Sequence, residues 1–398
     1  MAEGLDQQQA AGAGADFTRI VDRTGTWSTK WDRYRGTDVL PFWVADMEFP
    51  APPAVIEALH ARVAHGVFGY TQVPETLTET TLAFLAERYG WSVEPEWLVW
   101  IPGVVPGFNL ACRAVGEAGD AVMTATPIYY PFLSAPANAG REKVETALVR
   151  DGDRWVMDFD ALQAALTPRT RLFMLCNPHN PTGRVYDRDE LLHLARIAAR
   201  EDLILCSDEI HAELILEPGL EHIPIATLDP EIARRTITLM APTKTYNIPG
   251  LSCAYAVIPD PTLRRAFRRA GAGLLAGIGP LGFAAAEAAY AHGEPWRQQL
   301  LAVLRANRDR LQRAVDAWPG LSMTHVEATC LAWIDTRERG LKDPQAFFEA
   351  AGVGLSPGTQ FAGETGCGEG FVRFNFGCQA DMLEVGIARM DRALAAAG

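Results

Sequence analysis

Through the middle of the chain, short continuous apolar runs alternate with segments whose apolar residues have the spacing of a helix. Continuous apolar runs are typical of strands that are covered on both faces of a sheet. The alternation of the two patterns predicts an α/β fold, in which helices flank a mostly parallel sheet. The predicted strands span residues 120–127, 171–178, 202–209, 236–244 and 251–260, and the predicted helices span residues 104–119 and 187–201.

The last third of the chain has a different pattern. A helical pattern covers about residues 294–317, two strand-like pieces cover residues 323–336 and 370–377, and a final helix begins near residue 381. This order predicts a smaller α+β domain. The glycine-rich residues 271–282 precede it, and they lack the GxGxxG order after a strand that a phosphate-binding loop has. We therefore expect a hinge or a helix-packing segment there.

A length of 398 residues suits two domains better than one. We expect residues 1–16, which are rich in Ala, Gly and Gln, to form a disordered tail. Residues 17–50 are expected to pack with the small domain. Residues 51–285 are expected to form the large α/β domain, and residues 286–398 the small α+β domain.

Composition restricts the class of protein. The formal charge of −13 argues against a nucleic-acid partner, which requires a basic surface. No apolar run approaches the ~20 residues of a membrane span, and the N-terminus lacks the basic and apolar regions of a secretory signal. Seven cysteines without a CxxC pair favour buried, reduced thiols over a disulfide scaffold. These features are ordinary for a soluble enzyme, and they favour a cytoplasmic location without a membrane partner.

Lys244 is the most informative residue, because the chain has only four lysines. The others, Lys30, Lys143 and Lys342, lie in polar stretches, whereas Lys244 follows an apolar run and precedes a Pro-Gly turn. Open α/β sheets bind ligands at the carboxyl ends of their strands, and a lysine desolvated there becomes a nucleophile. The alternative is a lysine whose ammonium reaches solvent from the strand end.

Three motifs follow successive predicted strands: CNPHNPTGR at 176–184, SDEIHAE at 207–213 and the TKTYN around Lys244. Because parallel strands end at one edge of a sheet, their polar residues Asn180, Asp208 and His211 could share one pocket with Lys244. Taken singly, each has a structural explanation, as a turn residue, a helix cap and a core histidine respectively. Together with a lysine, the set points to chemistry.

Pyridoxal phosphate is the cofactor that needs this set. It is an aldehyde that binds a lysine covalently, and its ring nitrogen needs a buried carboxylate, such as Asp208, to stay protonated. Its phenolate oxygen needs hydrogen-bond donors, which Asn180 and His211 could provide. Its phosphate needs the free N–H groups of a helix N-terminus. The turn WIPGVVPGF provides such a terminus at Gly103, Val104 and Val105.

These motifs, with TPIYYPF and FVRFN, resemble those of the fold-type-I pyridoxal-phosphate enzymes of the aminotransferase superfamily. DRTGTWSTKWD, PFWVADMEFP and HGVFGYT are similar to segments of its cystathionine β-lyase-like branch in particular. The resemblance extends from about residue 17 to the C-terminus. It implies a homodimer in which each active site includes residues of both subunits.

The resemblance assigns roles around the cofactor. Lys244 is implied to bind it covalently and to move the proton at the substrate Cα. Tyr129 is implied to stack on the ring, and Thr243 to contact the phosphate together with Val104 and Val105. Tyr70 is implied to reach that phosphate from the neighbouring subunit, and Lys244 or Tyr70 could protonate the departing thiol. His211 stands where many relatives have a tyrosine.

For the substrate, the resemblance implies that Arg373 binds the α-carboxylate and that Trp43 and Tyr129 line the pocket. A planar guanidinium suits a carboxylate because it can donate two parallel hydrogen bonds. Two positions depart from the family. Ser252 replaces a basic residue that many relatives use for the phosphate, and Cys330 replaces an aromatic residue near the substrate.

The sequence therefore predicts a homodimeric, pyridoxal-phosphate-dependent carbon–sulfur lyase. It would cleave L-cystathionine or another L-cysteine S-conjugate to a thiol, pyruvate and ammonia, without a metal ion. The sequence leaves open which thiol is released. An aminotransferase shares the early steps and is the main alternative. A regulatory protein that keeps the fold is the other, and the intact Lys244, Asp208 and Arg373 set disfavours it.

Overall fold

The computed structural model describes residues 15–397. The predicted tail, residues 1–16, lies outside this range except for its last two residues. The helices are α1 Thr29–Asp32, α2 Pro53–Ala64, α3 Glu75–Tyr89, α4 Val104–Ala114, α5 Pro131–Asn138, α6 Phe159–Ala165, α7 Arg188–Arg200, α8 Pro230–Arg234, α9 Pro261–Gly271, α10 Pro280–His292, α11 Glu294–Ala317, α12 Pro344–Ala350 and α13 Ala380–Ala396.

The strands are β1 Leu40–Pro41, β2 Leu98–Ile101, β3 Ala121–Thr126, β4 Glu142–Asp151, β5 Arg154–Met157, β6 Thr170–Cys176, β7 Ile204–Asp208, β8 Thr236–Met240, β9 Ala254–Val257, β10 Ser322–Met323, β11 Leu331–Asp335, β12 Val353–Gly354, β13 Ser356–Pro357 and β14 Phe371–Asn375.

An eight-stranded sheet forms the larger part of the molecule, with the strand order β2-β9-β8-β7-β6-β3-β4-β5. Strands β8, β7, β6, β3 and β4 pair in parallel, and β9 and β5 run antiparallel to their neighbours. Strands β3 and β8 are buried along their whole length, because helices cover both faces of the sheet. The predicted α/β class is confirmed.

Most predicted elements are present but shorter. The helix expected over residues 104–119 ends at Ala114, because Gly116 and Gly119 adopt left-handed φ angles of 71° and 79°. The helix expected over residues 187–201 forms as α7, where Asp187 and Glu190 make a reciprocal capping box. The pattern analysis did not identify β4 and β5, whose residues are largely polar or half-exposed.

A four-stranded antiparallel sheet, β10-β11-β14-β13, forms the smaller part. The long helix α11 spans the predicted residues, and its apolar face joins the same core as β11 and β14. The glycine-rich stretch is partly a loop between α9 and α10 and partly the start of α10. A side chain at Gly282 would approach the Leu251 carbonyl oxygen to 2.4 Å, so close packing requires glycine there.

The N-terminal segment reaches the smaller sheet region. Strand β1 pairs in parallel with β12, and the Phe42 ring stacks on Phe374 of β14 with the ring centroids 4.5 Å apart. The domain boundaries remain a prediction, and the one expected at residue 285 falls within α10.

The seven cysteines are free thiols in the structure, and six of them are buried, as predicted; Cys367 is half-buried. Among residues 15–397, none of the helices has an apolar stretch long enough to cross a bilayer. Within the same residues, no group of three or more His, Cys, Asp or Glu side chains is arranged to hold a metal ion.

Candidate active site

The three motif-bearing strands are neighbours in the sheet, in the order β8-β7-β6, and their carboxyl ends open into a cavity of about 590 Å³. This size is typical of a small-molecule site. Every predicted site residue except Tyr70 lines it. These residues are Trp43, Gly103, Val104, Val105, Tyr129, Asn180, Asp208, His211, Thr243, Lys244 and Arg373.

Asp208, the last residue of β7, presents a buried carboxylate to the cavity. One carboxylate oxygen accepts a hydrogen bond from the Ile210 N–H at 3.1 Å. Burial raises the pKa of Asp208 to about 7, and the neighbouring Lys244 only partly offsets this. A cation placed beside this carboxylate would therefore be strongly favoured.

His211 follows Asp208 by one turn of chain and is 2% exposed. Burial, followed by the positive charges of Lys244 and Arg373, lowers the pKa of His211 to about 3. The imidazole is therefore neutral at ordinary pH. Its buried Nδ1 atom has no hydrogen-bond partner among the described residues, so it is available to a ligand.

Lys244 extends its amine across the cavity, where Nζ donates a hydrogen bond to the carbonyl oxygen of Ala45 at 2.9 Å. Burial lowers the pKa of Lys244, with partial compensation by nearby acidic groups such as Asp46. The neutral, nucleophilic amine is therefore easier to form than in a solvent-exposed lysine. The predicted nucleophile thus lies in a suitable environment.

Arg373, at the centre of β14, reaches the cavity from the smaller sheet. Its guanidinium donates to the Asn180 Oδ1 atom at 2.9 Å and to the Trp43 carbonyl at 2.6 Å, and it stacks on Phe361. Burial lowers the pKa of Arg373 to about 10, yet the guanidinium stays charged at neutral pH. Its Nε–H has no partner among residues 15–397. The contact also orients Asn180 through its oxygen, so that among the described residues its amide nitrogen is left to donate to a ligand.

Helix α4 begins at the cavity, and no side chain caps its first turn. The backbone N–H groups of Gly103, Val104 and Val105 lie at this terminus, where an anion would be stabilised. Gly107 lets the helix approach the sheet, since a side chain there would come within 2.7 Å of the Ile101 Cδ1 atom. Thr243, the residue before Lys244, is buried and lines the same cavity.

Tyr70 lies outside the cavity of its own chain and is fully exposed. Its predicted role in a neighbouring subunit remains a prediction. Ser252 and Cys330, the two departures from the family, do not line the cavity. Cys330 is buried, which raises the pKa of its thiol, and the nearby Lys244 offsets part of this rise.

Sequence reasoning missed three polar lining residues, Tyr130, Ser356 and Gln360. Tyr130 adjoins the predicted Tyr129 in TPIYYPF, so its motif gave a signal. Ser356 accepts from Arg373 at 3.3 Å and donates to the Trp43 carbonyl at 2.9 Å. Ser356 and Gln360 lie on a two-residue strand and a short turn, which have no recognisable pattern.

The opposite face of the 207–213 segment carries a second polar group. The Glu209 carboxylate lies 2.7 Å from the His222 Nε2 atom and accepts from the Ser207 hydroxyl at 2.8 Å. Glu213 accepts from the Tyr89 hydroxyl at 2.5 Å. Asp208 and His211 therefore face the cavity, and the two glutamates beside them contact other side chains, His222 and Tyr89.

The donor set fits pyridoxal phosphate, the cofactor that the sequence predicts. Asp208 forms no ion pair with any residue in the described part of the chain, and it suits a protonated ring nitrogen. The unpartnered His211 nitrogen and the free Asn180 amide suit the phenolate oxygen. The uncapped start of α4 suits the phosphate.

The family model described as aminotransferase class I and II matches residues 37–390, and the chain belongs to this family. It is 36% identical over 392 residues to the cystathionine beta-lyase PatB of Bacillus subtilis (strain 168), covering 95% of this chain and 100% of that protein.

Two solved structures show the same fold. The crystal structure of OvoB matches with a TM-score of 0.92 and 47% identity, over 95% of this chain and 99% of that one. Cystalysin from Treponema denticola, whose structure contains pyridoxal 5'-phosphate, matches with a TM-score of 0.92 and 32% identity, over 96% and 100%. The predicted family and fold type are confirmed.

Proposed function

We propose that the protein is a pyridoxal-phosphate-dependent carbon–sulfur lyase that acts on L-cysteine S-conjugates, L-cystathionine among the candidates. One observation carries the proposal: Asp208, Lys244 and Arg373 surround one cavity, and none of them forms an ion pair within residues 15–397. Buried charges without partners are costly unless a ligand pairs with them. The similarity to the cystathionine beta-lyase of Bacillus subtilis supports this choice of reaction.

The cofactor is pyridoxal phosphate, which residues at the edge of the large sheet would hold. Asp208 would pair with the ring nitrogen and keep it protonated. Asn180 and His211 would bind the phenolate oxygen, and Tyr129 would pack against the ring. The N–H groups at the start of α4, together with Thr243, would bind the phosphate. Ser252 lacks the charge of a basic residue, so these neutral groups carry more of the phosphate binding.

When bound, the cofactor supplies an electron sink for the pair left at Cα by loss of its proton. Lys244 removes that proton, because burial favours its neutral amine. The Cβ–S bond then breaks and the thiol leaves; hydrolysis of the remaining three-carbon unit yields pyruvate and ammonia. A departing thiolate needs little assistance from an acid, since the pKa of a thiol is ~8.5.

Arg373 binds the substrate α-carboxylate. Its guanidinium is held in place by Asn180, Ser356 and the Trp43 carbonyl, so the fork is oriented before the substrate arrives. Trp43 lines the pocket beside it. The hydrogen bond to Asn180 connects the group that would bind the substrate carboxylate with a residue that would bind the cofactor.

The active protein is a homodimer in this proposal. The loop after α2 exposes Val67, Phe68 and Tyr70, of which Tyr70 is fully accessible in the single chain. An exposed apolar loop of this kind is typical of a surface that another chain covers. Tyr70 then contacts the phosphate in the partner's site. A cytoplasmic location and the domain limits at residues 50 and 285 belong to the same proposal.

An aminotransferase is the second candidate, because the matching family model carries that description. The two reactions differ in one observable. A lyase returns to its starting form in every cycle, whereas an aminotransferase stops after one turnover until a keto acid is added.

The experiment is incubation of the purified protein with cystathionine, cystine and S-alkyl cysteines in the absence of a keto acid. The lyase releases pyruvate, ammonia and thiol in equal amounts over many turnovers. The Lys244→Ala variant is the matched control for reaction catalysed by free cofactor. Arrest after one equivalent with every conjugate, relieved by a keto acid, would replace the lyase with the aminotransferase.

A further inference from the structure

A buried charge cluster with no assigned part in the proposed reaction lies between the motifs DRTGTWSTKWD and PFWVADMEFP. Lys30 is 2% exposed, although its polar surroundings in the sequence gave no sign of burial. Its Nζ atom lies 2.6 Å from the Glu48 Oε1 atom and donates to the Asp46 carbonyl oxygen at 3.0 Å. Arg23 forms ion pairs with the carboxylates of Asp46 and Glu48. The Trp31 indole N–H donates to Glu48 at 2.9 Å.

The acceptors of this cluster belong to residues 43–49, here called the 43–49 segment. Backbone carbonyls of this segment also accept hydrogen bonds from the two cationic side chains of the active site, Lys244 and Arg373. The Trp43 carbonyl accepts from Arg373 at 2.6 Å, and the Ala45 carbonyl accepts from Lys244 at 2.9 Å. The Asp46 carbonyl, which accepts from Lys30, is the next one along the chain. Lys30 therefore binds the backbone one residue away from the carbonyl that accepts the hydrogen bond of the Lys244 amine.

Neutral amides hold the same segment from two other directions. Asn375 donates to the carbonyls of Val44 and Asp46, and Asn247 donates to that of Met47. Lys30 adds a charge-assisted bond, which is stronger and more dependent on geometry than a neutral one. Burying such a cluster is costly, and in some proteins the benefit is a unique arrangement of the groups around it.

We propose that Lys30 is a positioning residue of the active site. Its ammonium, fixed by Glu48, holds the backbone at Asp46 and so keeps the carbonyls of Ala45 and Trp43 where they receive Lys244 and Arg373. The catalytic consequence depends on the proposed function, but the placement of the 43–49 segment does not. A cluster that only stabilises the fold is the competing explanation.

The test compares Lys30→Met, Lys30→Arg and the control Lys143→Met in the cofactor-loaded protein. Lys143 also forms ion pairs, with Glu145 and Glu364, but it lies away from the cavity. Two readouts are independent of turnover: amide hydrogen exchange of peptides that cover residues 43–49, and the pH dependence of the absorbance of the bound cofactor, which reports the surroundings of Lys244. Steady-state rates are a third readout.

In Lys30→Met we expect exchange of the 43–49 amides to rise ~10-fold or more while exchange in β6, β7 and β8 stays unchanged. The cofactor absorbance should titrate at a pH displaced by about half a unit or more, and kcat should fall ~10-fold or more. Lys30→Arg should recover part of each effect, and Lys143→Met should show none.

Unchanged local exchange together with an unchanged absorbance profile would overturn the proposal, even if the melting temperature fell. An equal rise of exchange across the whole sheet would also overturn it, because it would show a global role. If Lys30→Met does not fold, Glu48→Gln removes the partner of the same ammonium and is judged by the same two readouts. Failure of the lyase assay alone would leave these readouts intact and would count only against the proposed reaction.

Discussion

Replacement of Asp208 by Asn should stabilise the cofactor-free protein at alkaline pH. The native carboxyl is buried without a cation partner, and its pKa is raised from 3.8 to about 7. Asn can keep the hydrogen bond from the Ile210 N–H. The substitution therefore removes the cost of burying a charge and changes little of the shape.

The sign follows from proton binding. Because the folded pKa lies above the unfolded value, the favourable contribution of the neutral carboxyl is present below pH 3.8 and is lost as the pH rises to about 7. At 1.36 kcal/mol per pH unit, the interval from pH 5 to about 7 corresponds to roughly 2.7 kcal/mol. Over this interval the free energy of unfolding of the wild type should fall by up to that amount relative to that of Asp208→Asn. Above this interval the difference between the two proteins should stay constant.

Urea unfolding of the two cofactor-free proteins between pH 5 and pH 8 measures this difference. Other titrating groups occur in both proteins, so they largely cancel. Asp151→Asn, at the exposed end of β4, is the control and should show no such trend. A difference that stays constant with pH, or a less stable Asn variant at pH 8, would refute the reasoning about Asp208.

The cofactor should reverse the order. Pyridoxal phosphate should stabilise wild type more than Asp208→Asn, because only the carboxylate pairs with a protonated ring nitrogen, and kcat should fall by ~10³-fold or more in the variant. Near-normal turnover would mean that another group holds that nitrogen.

The remaining predictions concern four residues. Lys244→Ala should abolish turnover and the fixation of cofactor to the chain by borohydride; fixation that persists, located by peptide mass, would identify a different lysine. Tyr70→Phe chains co-expressed with Lys244→Ala chains should form heterodimers more active than either mutant homodimer, and equal activity would exclude a shared site. Arg373→Lys should raise KM by ~10-fold or more because the bidentate fork is lost, and an unchanged KM would place the carboxylate elsewhere. Cys330→Tyr should raise cystathionine cleavage relative to other conjugates if this position selects the substrate, and an unaltered preference would argue against that.

Residues in long, uniform patterns were predictable from the sequence. The apolar run before Lys244 and the Asn-Pro and Ser-Asp-Glu motifs after neighbouring strands were enough to bring Asn180, Asp208 and Lys244 to one edge of the sheet. Arg373 was predicted only from its motif, since nothing in its local pattern shows that it meets Asn180 at the cavity.

Contacts between distant parts of the chain were not predictable. Lys30 lies among polar residues in the sequence, and its burial depends on Glu48, which folding brings against it. Ser356 acts through a contact with Trp43, more than 300 residues away in sequence, and no local periodicity encodes such a pairing. The strands β4 and β5 were missed because their polar residues lie at the exposed edge of the sheet.

The two-faced 207–213 segment has a consequence for evolution and protein engineering. Asp208 and His211 face the cavity, whereas Glu209 pairs with His222 on the other face. A single residue inserted into or deleted from β7 would bring a neighbour of Asp208 to the cavity and move Glu209 away from His222. This stretch should therefore accept exchanges of residue type far more readily than changes of length, and variant libraries aimed at new substrates should keep its length constant.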